Sequence, residues 1–259
     1  MAAPAPSLRL CSWNIHLGLE RAPLLRTVAS EPAFAGLDVV LVQEASAGRD
    51  GADSHAIAEQ LGPRYEAHQH ELDCLRGRSR GMGFVWNPAI FQVRGVDVLP
   101  LPTVATAELP PPYRAWLRRM GIHDRTALVV DGCASGSRVR LYNVHLNHIG
   151  RLLQLQQLAC LLADAQRRPP VDLTILAGDF NTLRVDARRW RQWFAARSHE
   201  GWLNATHDVR WTFRSPALPL RQKLDHVLVK ASSAIRHHAH APGVPGSDHL
   251  PVFVDLQQA

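Results

Sequence analysis

The chain is poor in lysine and has no long apolar run. Two lysines, Lys223 and Lys230, leave 27 arginines among its 29 basic residues. No apolar stretch approaches the ~20 residues of a membrane-spanning helix, and residues 1–10 lack the basic start and apolar core of a signal peptide. We therefore expect a protein that does not cross a membrane through helices and that resides in the cytoplasm.

Cysteine is too scarce and too scattered to form a metal or redox motif. No paired spacing of the zinc or redox kind links the four residues Cys11, Cys74, Cys133 and Cys160. Buried, inert thiols fit this pattern, and such thiols suit a reducing compartment.

The positive charge of the chain has two interpretations. Its formal charge is +6 at pH 7, and the planar fork of arginine suits phosphate binding. A positive surface also attracts polyanions. However, a general preference for arginine over lysine would give the same composition. The charge alone therefore only hints at a phosphate-bearing substrate.

Hydrophobic patterning predicts more strands than helices. Apolar runs predict strands at residues 8–13, 38–43, 83–86, 91–99, 127–131, 139–145, 173–177, 224–229 and 251–256. Helical spacing predicts helices at 22–30, 54–61, 152–166 and 185–197. No repeat or shift in composition marks a boundary. We expect residues 7–259 to form one α+β domain of packed sheets with helices outside, and residues 1–6 to form a loose tail.

Polar residues stand at the ends of the predicted strands, four groups at or after the end of a strand and two, Asp225-His226 and Ser247 to His249, at or before the start of one. Any one of them could begin a turn, but loops at strand ends are where scaffolds carry function. Six such places occur along the chain: Asn14, Gln43-Glu44, His145, Asp179 to Asn181, Asp225-His226 and Ser247 to His249. Because all of them lie at strand ends, we predict that they share one site.

These residue types suit a hard divalent cation. Carboxylate and amide oxygens are the ligands that Mg²⁺ or Mn²⁺ prefers. A zinc site would show three His, Cys or carboxylate ligands. His145 and His148 form an H-x-x-H pair, but the chain has no H-E-x-x-H helix. Magnesium or manganese is therefore expected, with a zinc hydrolase as the minority alternative.

Six motifs, in this order, resemble those of the endonuclease/exonuclease/phosphatase superfamily, which includes pancreatic deoxyribonuclease and the abasic-site endonucleases. They cover most of the chain: SWNIH (12–16), VQE (42–44), YNVHL (142–146), AGDFN (177–181), LDHVLV (224–229) and SDHLPV (247–252). The resemblance implies a four-layer α/β sandwich, in which two mainly antiparallel sheets are flanked by helices. It also implies a phosphoesterase that hydrolyses its substrate with an activated water.

The resemblance implies a role for each motif residue. Glu44 and Asn14 would bind the metal, and Asp248 would serve a second metal or His249. Asp179 would orient or deprotonate the water, and Asn181 would hold a phosphate oxygen. His249, oriented by Asp225, would contact the scissile phosphate, and His145 would be a second phosphate-contacting histidine.

Three further residues are candidate substrate contacts. Arg125 stands where some family members keep a phosphate-contacting arginine, although a surface ion pair is as plausible. Trp211 and Phe213 precede LDHVLV, in a stretch whose aromatic residues line the substrate groove of related nucleases. They could stack on a base or belong to the core.

One departure concerns the partner of His145. In deoxyribonuclease-like members a glutamate on an earlier strand pairs with this histidine, but here the region reads LDCLRGRSRGMG (72–83). Glu71 or Asp73 is a possible substitute. The basic run of Arg76, Arg78 and Arg80 could contact phosphates, but the default interpretation is a solvated hairpin tip.

The motifs leave the substrate open. Arginines at 184, 188, 189 and 191 favour DNA, which is the expected substrate of a monomeric enzyme with no inferable protein partner. The alternative is a phospholipid, sphingomyelin or inositol-phosphate phosphodiesterase or phosphatase. For such an enzyme the proline-rich excursion at 99–124, with Tyr113, Trp116 and Leu117, would contact the membrane or act as a lid. A catalytically silent binding module is a further alternative.

Overall fold

The computed structural model describes residues 7–48, 51–75, 78–103, 112–113, 116, 124–148 and 150–258. The strands in chain order are β1 (Ser7–Asn14), β2 (Val39–Ala45), β3 (Ala47–Gly48), β4 (Gly51–Ala52), β5 (Glu66–Leu75), β6 (Arg78–Trp86), β7 (Phe91–Pro100), β8 (Thr126–Ala134), β9 (Ser137–His145), β10 (Leu173–Asp179), β11 (Leu203–Asn204), β12 (Phe213–Arg214), β13 (Arg221–Gln222), β14 (Asp225–Ala231), β15 (Ile235–His240) and β16 (Val252–Gln258). The α-helices are α1 (Arg21–Ser30), α2 (Asp53–Leu61), α3 (Arg151–Arg167) and α4 (Ala187–His199).

The long strands form two six-stranded sheets of the same pattern. Sheet I has the order β15-β16-β1-β2-β6-β5, and sheet II has the order β11-β14-β10-β9-β8-β7. Each sheet is antiparallel except for one central parallel pair, which is β1 with β2 in sheet I and β9 with β10 in sheet II. Parallel neighbours need a crossover connection, and here α1 and α3 lie within those two connections.

The parallel pairs place the motif residues together. In the register of sheet I, Asn14 lies beside Gln43, and in sheet II His145 lies beside Asp179. Since both members of a parallel pair end at the same edge, each sheet brings two polar strand ends to one edge. The bond from Asn14 Nδ2 to Asp179 Oδ2, 3.1 Å long, joins the edges of the two sheets.

The sheets pack face to face with helices outside. Leu10 and Leu41 of sheet I belong to the same buried cluster as Leu141 and Ile175 of sheet II. On the outer faces, residues of α1 and α2 pack on sheet I, and residues of α3 and α4 pack on sheet II. Residues Val39 to Val42 of β2 are all apolar because alternate residues face the two different cores. The predicted α+β class and four-layer sandwich are confirmed.

Two of the longer strands were missed because they are polar edge strands, and the two-residue strands β3, β4, β11, β12 and β13 were also not predicted. Strands β5 and β15 lie at the two ends of sheet I, and β15 has the sequence IRHHAH, largely half-buried or exposed. An edge strand keeps one side and much of one face in solvent, so it lacks the apolar signal of a central strand. The other predicted strands and helices are present, with ends that differ by up to a few residues.

The predictions for the N-terminal tail, the domain bounds and the 99–124 excursion concern parts of the chain that the structure describes only in part. Residues 1–6, Arg76 and Leu117 lie outside the described residues, and the single-domain assignment of 7–259 stays a prediction. Of the 99–124 excursion, the described residues Tyr113 and Trp116 are exposed. No helix among the described residues is both long enough and apolar enough to span a membrane.

Candidate active site

One cleft collects polar strand ends from both sheets. It has a volume of about 300 Å³ and is lined by Asn14, Glu44, Arg80, Arg125, His145, His148, Asp179, Asn181, Leu183, Phe213, Gln222, Leu224 and His249. Among the residues predicted from the sequence, Asp225 lies behind His249, whereas Asp248 and Trp211 do not line the cleft.

His249 and Asp225 form a buried pair at the cleft wall. The Nδ1 atom of His249 lies 2.9 Å from Oδ2 of Asp225, and both side chains are buried. Burial opposes a charged imidazole, but the nearby carboxylates of Asp225 and Asp179 outweigh it and raise the pKa of His249 to about 10. His249 is therefore a cation at neutral pH, with its Nε2 free of the bond to Asp225.

Asp179 stands beside that cation at the end of β10. Its Oδ2 lies 3.8 Å from Nε2 of His249, and its Oδ1 accepts a hydrogen bond from the backbone N–H of Asn181. Burial raises the pKa of Asp179 to about 7, although the charge of His249 opposes this shift. The carboxylate is thus a stronger base than an exposed aspartate.

The glycine of the AGDFN motif allows β10 to approach β9. Gly178 has φ +146°, and a Cβ atom there would lie 1.9 Å from the backbone oxygen of Val144. A side chain would therefore force the two strands apart and displace Asp179 from His145.

A β-bulge turns Glu44 into the cleft. The register of β2 against β6 shifts between Gln43 and Ala45, and Glu44 adopts φ +53°. A bulge re-aims one side chain without ending the strand. The Oε1 atom of Glu44 lies 3.8 Å from Nε2 of His145, which is too far for a hydrogen bond. The Glu44 carboxylate thus keeps capacity for another ligand.

Gln43 and Asn143 support the cleft from below and were not singled out as a pair from the sequence. The Nε2 group of Gln43 donates to Oδ1 of Asn143 at 2.7 Å. Asn143 Nδ2 in turn donates to the backbone oxygens of Val42 and Gly83. All of these groups are buried between the sheets, so they fix the position of sheet I relative to sheet II.

His145 lies near the carboxylates of Asp179 and Glu44. Its Nε2 lies 3.5 Å from Oδ2 of Asp179. Of the two possible substitutes for the upstream glutamate, Glu71 is exposed and Asp73 bonds to Arg80. Burial, together with the charges of Arg125 and Arg80, lowers the pKa of His145 well below its usual range. His145 is therefore a neutral imidazole.

Two buried guanidinium groups line the cleft. Arg80 is 2% exposed and bonds through Nε to Oδ1 of Asp73 at 2.9 Å, so its interpretation as part of a solvated hairpin tip was wrong. Arg125 is also buried, which excludes the alternative of a surface ion pair. Its Nε and Nη1 atoms have no hydrogen-bond partner among the described residues. Such orphaned donors in a cleft suit an anionic ligand.

The donor set at the ends of β1 and β2 fits a hard cation. The amide oxygen of Asn14 accepts one hydrogen bond, from the backbone N–H of His16, and so retains a lone pair. Together with the carboxylate of Glu44 it offers the oxygen ligands of Mg²⁺ or Mn²⁺. Asp248 is turned elsewhere, with Oδ1 3.6 Å from Nδ1 of His16.

A second group of described residues is also close enough to bind one cation. Single ligand atoms of Asp179, Asp225 and His249 lie within 4.8 Å of one another. However, Nδ1 of His249 is engaged with Asp225, and the positive imidazole would repel a metal. The oxygens of Glu44 and Asn14 therefore suit a cation better than this group does.

Phe213 and Trp211 differ in their relation to the cleft. The Phe213 ring meets the His249 ring edge-on, with centroids 5.0 Å apart, and it lines the cleft. Trp211 instead stacks with the guanidinium of Arg221 at 4.6 Å. Of the two aromatic candidates, only Phe213 contacts the proposed catalytic group.

The fold is shared with several solved structures. The chain matches D. rerio TDP2 in complex with a single-strand DNA product with a TM-score of 0.72 and 17% identity, covering 97% of this chain and 99% of that one. A mannosyl-6-phosphatase of Bacteroides thetaiotaomicron matches with a TM-score of 0.63 and 18% identity, covering 96% of this chain and 99% of that one. An endonuclease/exonuclease/phosphatase family protein of Leptotrichia buccalis matches with a TM-score of 0.70 and 16% identity, covering 96% of this chain and 99% of that one. No curated protein sequence matches the chain.

The sequence itself matches a family model across most of its length. The model of the endonuclease/exonuclease/phosphatase family aligns with residues 11–249, a range that begins in β1 and ends at His249. This range contains all the residues that line the cleft. The chain therefore belongs to the endonuclease/exonuclease/phosphatase family, whose members are hydrolytic phosphoesterases.

Proposed function

We propose that the chain is a Mg²⁺- or Mn²⁺-dependent phosphodiesterase whose favoured substrate is DNA. The observation that carries this proposal is the pairing of Asp179 and His249 in one cleft, 3.8 Å apart between Oδ2 and Nε2. A carboxylate base and a charged imidazole side by side are what hydrolysis of a phosphate ester needs.

Asp179 receives the proton of the attacking water. A base works best when its pKa is near the working pH, and burial raises the pKa of Asp179 to about 7. The backbone N–H of Asn181 and the amide of Asn14 hold its two oxygens in place. One amide N–H of Asn181 is bonded to the Leu146 oxygen, so the other is left for a phosphate oxygen.

The cations of the cleft neutralise the phosphate. His249 donates through Nε2 to a phosphoryl or leaving oxygen, and neutral His145 offers a second contact to the phosphate. Arg80 and Arg125 stabilise the negative charge from the side. A divalent cation held by Glu44 and Asn14 would add a Lewis acid that polarises a phosphoryl oxygen.

DNA is preferred because the chain is basic. Arg184, Arg188 and Arg191 are exposed on and before α4, Arg184 directly follows the cleft residue Leu183, and the chain has a formal charge of +6. Contacts with several phosphates give steep salt dependence. The resemblance in fold to a TDP2 bound to a DNA product agrees with this choice.

A second candidate is an enzyme that acts on phospholipids or on small phosphate esters. Tyr113 and Trp116 are 61% and 56% exposed, and exposed aromatic side chains suit a membrane interface. The similar fold of a mannosyl-6-phosphatase favours the small esters. A catalytically silent module is disfavoured because both the acid–base pair and the metal-binding oxygens are present.

The test is hydrolysis of plasmid DNA and of bis(p-nitrophenyl) phosphate with Mg²⁺, Mn²⁺ or EDTA. Wild type is compared with His249→Ala and with His199→Ala, which changes an exposed histidine outside the cleft. Nicking of the plasmid that needs both metal and His249 supports the proposal. Cleavage of the small diester alone would overturn DNA as the substrate and favour the second candidate. Assays with phosphatidylcholine vesicles and with sugar phosphates would then distinguish a phospholipid substrate from a small phosphate ester. Cleavage of neither would overturn the phosphodiesterase assignment.

A further inference from the structure

A second cavity lies directly behind one wall of the catalytic cleft. It measures about 370 Å³ and is lined by Thr182, Ala187, Trp190, Arg191, Phe194, Asn204, His207, Lys223 and His226. The wall consists of segments 181–183 and 222–224, whose residues alternate between the two sides. The first and last residues of each segment line the cleft, whereas the middle residues, Thr182 and Lys223, line the second cavity. A bond from Thr182 Oγ1 to the backbone oxygen of Lys223 joins the segments.

Four of the nine residues that line this cavity carry flat rings, namely Trp190, Phe194, His207 and His226. Trp190 and Phe194 project from α4 one turn apart, with ring centroids separated by 6.4 Å. The Phe194 ring also lies 4.6 Å from the ring of His226, tilted by 39°. A flat ring system is therefore the kind of ligand that this cavity accommodates best.

The hydrogen bonds of His226 define its tautomer. Thr182 Oγ1 has one proton, which it donates to the Lys223 backbone oxygen at 2.8 Å. Thr182 Oγ1 also lies 2.7 Å from His226 Nε2. Because the hydroxyl proton is already used, Nε2 must carry a proton and donate it to Thr182 Oγ1. Nδ1 is then a bare acceptor, and it is buried without a hydrogen-bond partner among the described residues. A buried acceptor of this kind needs a donor.

A donor stands at the same cavity. The Lys223 ammonium donates to the backbone oxygens of Thr206 and His207. An ammonium has three N–H groups, so one remains for a ligand. Burial lowers the pKa of Lys223 to about 8, and it is still mostly charged at pH 7. The exposed guanidinium of Arg191 also lines the cavity.

We infer that this cavity is a subsite for a nucleobase of the substrate, next to the phosphate that is hydrolysed. This inference rests on the proposed function. A nucleobase has a flat face for Trp190 and Phe194, an N–H for Nδ1 of His226 and an acceptor for Lys223. Arg191 contacts a phosphate of the same strand. A sugar lacks the aromatic face, and an acyl chain leaves the polar groups of the cavity unpaired.

The first experiment measures binding without turnover. Adenosine, guanosine and ribose are titrated against the protein in EDTA, and quenching of tryptophan fluorescence reports binding because Trp190 lines the cavity. The nucleosides should bind and ribose should not. Ala187→Trp, which fills the cavity, should weaken nucleoside binding about tenfold or more, as expected for loss of base stacking. Ala196→Trp is the matched control, because Ala196 is exposed on the same helix and does not line the cavity.

A second variant tests the buried acceptor. His226→Phe keeps a flat ring and removes Nδ1 together with the Nε2 that donates to Thr182, so nucleoside binding should fall by about tenfold, with circular dichroism to verify folding. If this variant does not fold, Ala187→Trp decides the question alone. Equal nucleoside binding by wild type and Ala187→Trp would overturn the inference.

Kinetics separates this inference from the proposed function. The substrates are the p-nitrophenyl ester of thymidine 5′-phosphate and methyl p-nitrophenyl phosphate, which has no base. Ala187→Trp should lower the ratio of kcat/KM for the first over the second by about tenfold, through KM. An unchanged ratio overturns the substrate subsite. Nucleoside binding that depends on Ala187, without cleavage of either ester, would sink the proposed function and leave only a nucleobase-binding cavity.

Discussion

His249 Nδ1 and Asp225 Oδ2 lie 2.9 Å apart in a pair of buried side chains. The carboxylate outweighs the cost of burying a charged ring and raises the pKa of His249 to about 10. We predict that NMR of the protein in EDTA will find this ring protonated through neutral pH. Asp225→Asn should bring its pKa down by more than one unit, whereas Asp208→Asn, at an exposed position, should not. A wild-type pKa below 7 would contradict this pairing.

The same shift predicts how stability depends on pH. Because the folded-state pKa of His249 is raised, its contribution to stability is complete below the unfolded value of ~6.5. That contribution is lost as the pH rises through about 10. Urea unfolding between pH 6 and pH 10 should therefore show a smaller loss of stability in Asp225→Asn than in wild type. Equal losses in the two proteins would argue that the pair does not couple folding to this proton.

Replacing Asp179 should abolish turnover while the fold is retained. In Asp179→Asn the amide cannot accept the proton of water, so kcat should fall by about 10²–10⁴-fold, the usual worth of a general base. Circular dichroism and the melting temperature check the fold. Asp186→Asn is the control, because Asp186 pairs with Arg151 outside the cleft. Activity within about threefold of wild type would remove Asp179 from the role of base.

Glu44 should determine the response to metal. Glu44→Gln keeps the shape of the side chain but removes its charge, and a neutral amide is a weaker ligand for Mg²⁺ or Mn²⁺. The metal concentration that gives half-maximal activity should rise at least tenfold, and calorimetry with Mn²⁺ should show weaker binding. The exposed Glu59 of α2 provides the control variant Glu59→Gln. An unchanged metal requirement would mean that Glu44 is not a ligand.

Arg80 should bind the phosphate of the substrate. A lost charged hydrogen bond costs about 1.5–3 kcal/mol, so kcat/KM of Arg80→Ala should fall by roughly 10- to 100-fold. Arg80→Lys should recover part of that loss, since a lysine retains the charge without the planar fork. Arg78→Ala on the same strand is the control, because Arg78 does not line the cleft. Equal kinetics of the two alanine variants would exclude a role for Arg80 in binding.

The sequence allowed the motif residues to be placed together because they stand at the ends of apolar strands. Asn14, Glu44, His145 and Asp179 end central strands, whose continuous burial gives a strong pattern. The two parallel pairs then bring these ends to one cleft. The fold class could be predicted for the same reason, since the cores on both faces of each sheet impose that pattern.

Other parts of the site depend on long-range contacts that no local pattern reveals. The burial of Arg80 follows from its pairing with Asp73 on the neighbouring strand. Gln43 meets Asn143 only because the two sheets pack together. The cavity behind the cleft depends on how α4 packs against β14. Asp248 was predicted in the site from its motif and Trp211 from its place before LDHVLV, yet Trp211 stacks with Arg221 and Asp248 lies beside His16.

The bond between Asn14 of sheet I and Asp179 of sheet II has a consequence for folding. Neither sheet alone contains both Glu44, the proposed metal ligand, and Asp179, the proposed general base, so a molecule with two formed but undocked sheets should be inactive. In a refolding experiment, the recovery of hydrolysis would therefore time the docking of the sheets. Far-ultraviolet circular dichroism would recover earlier, because it reports the formation of each sheet. The rate at which enzyme activity recovers would in this way report the rate of the last step of folding.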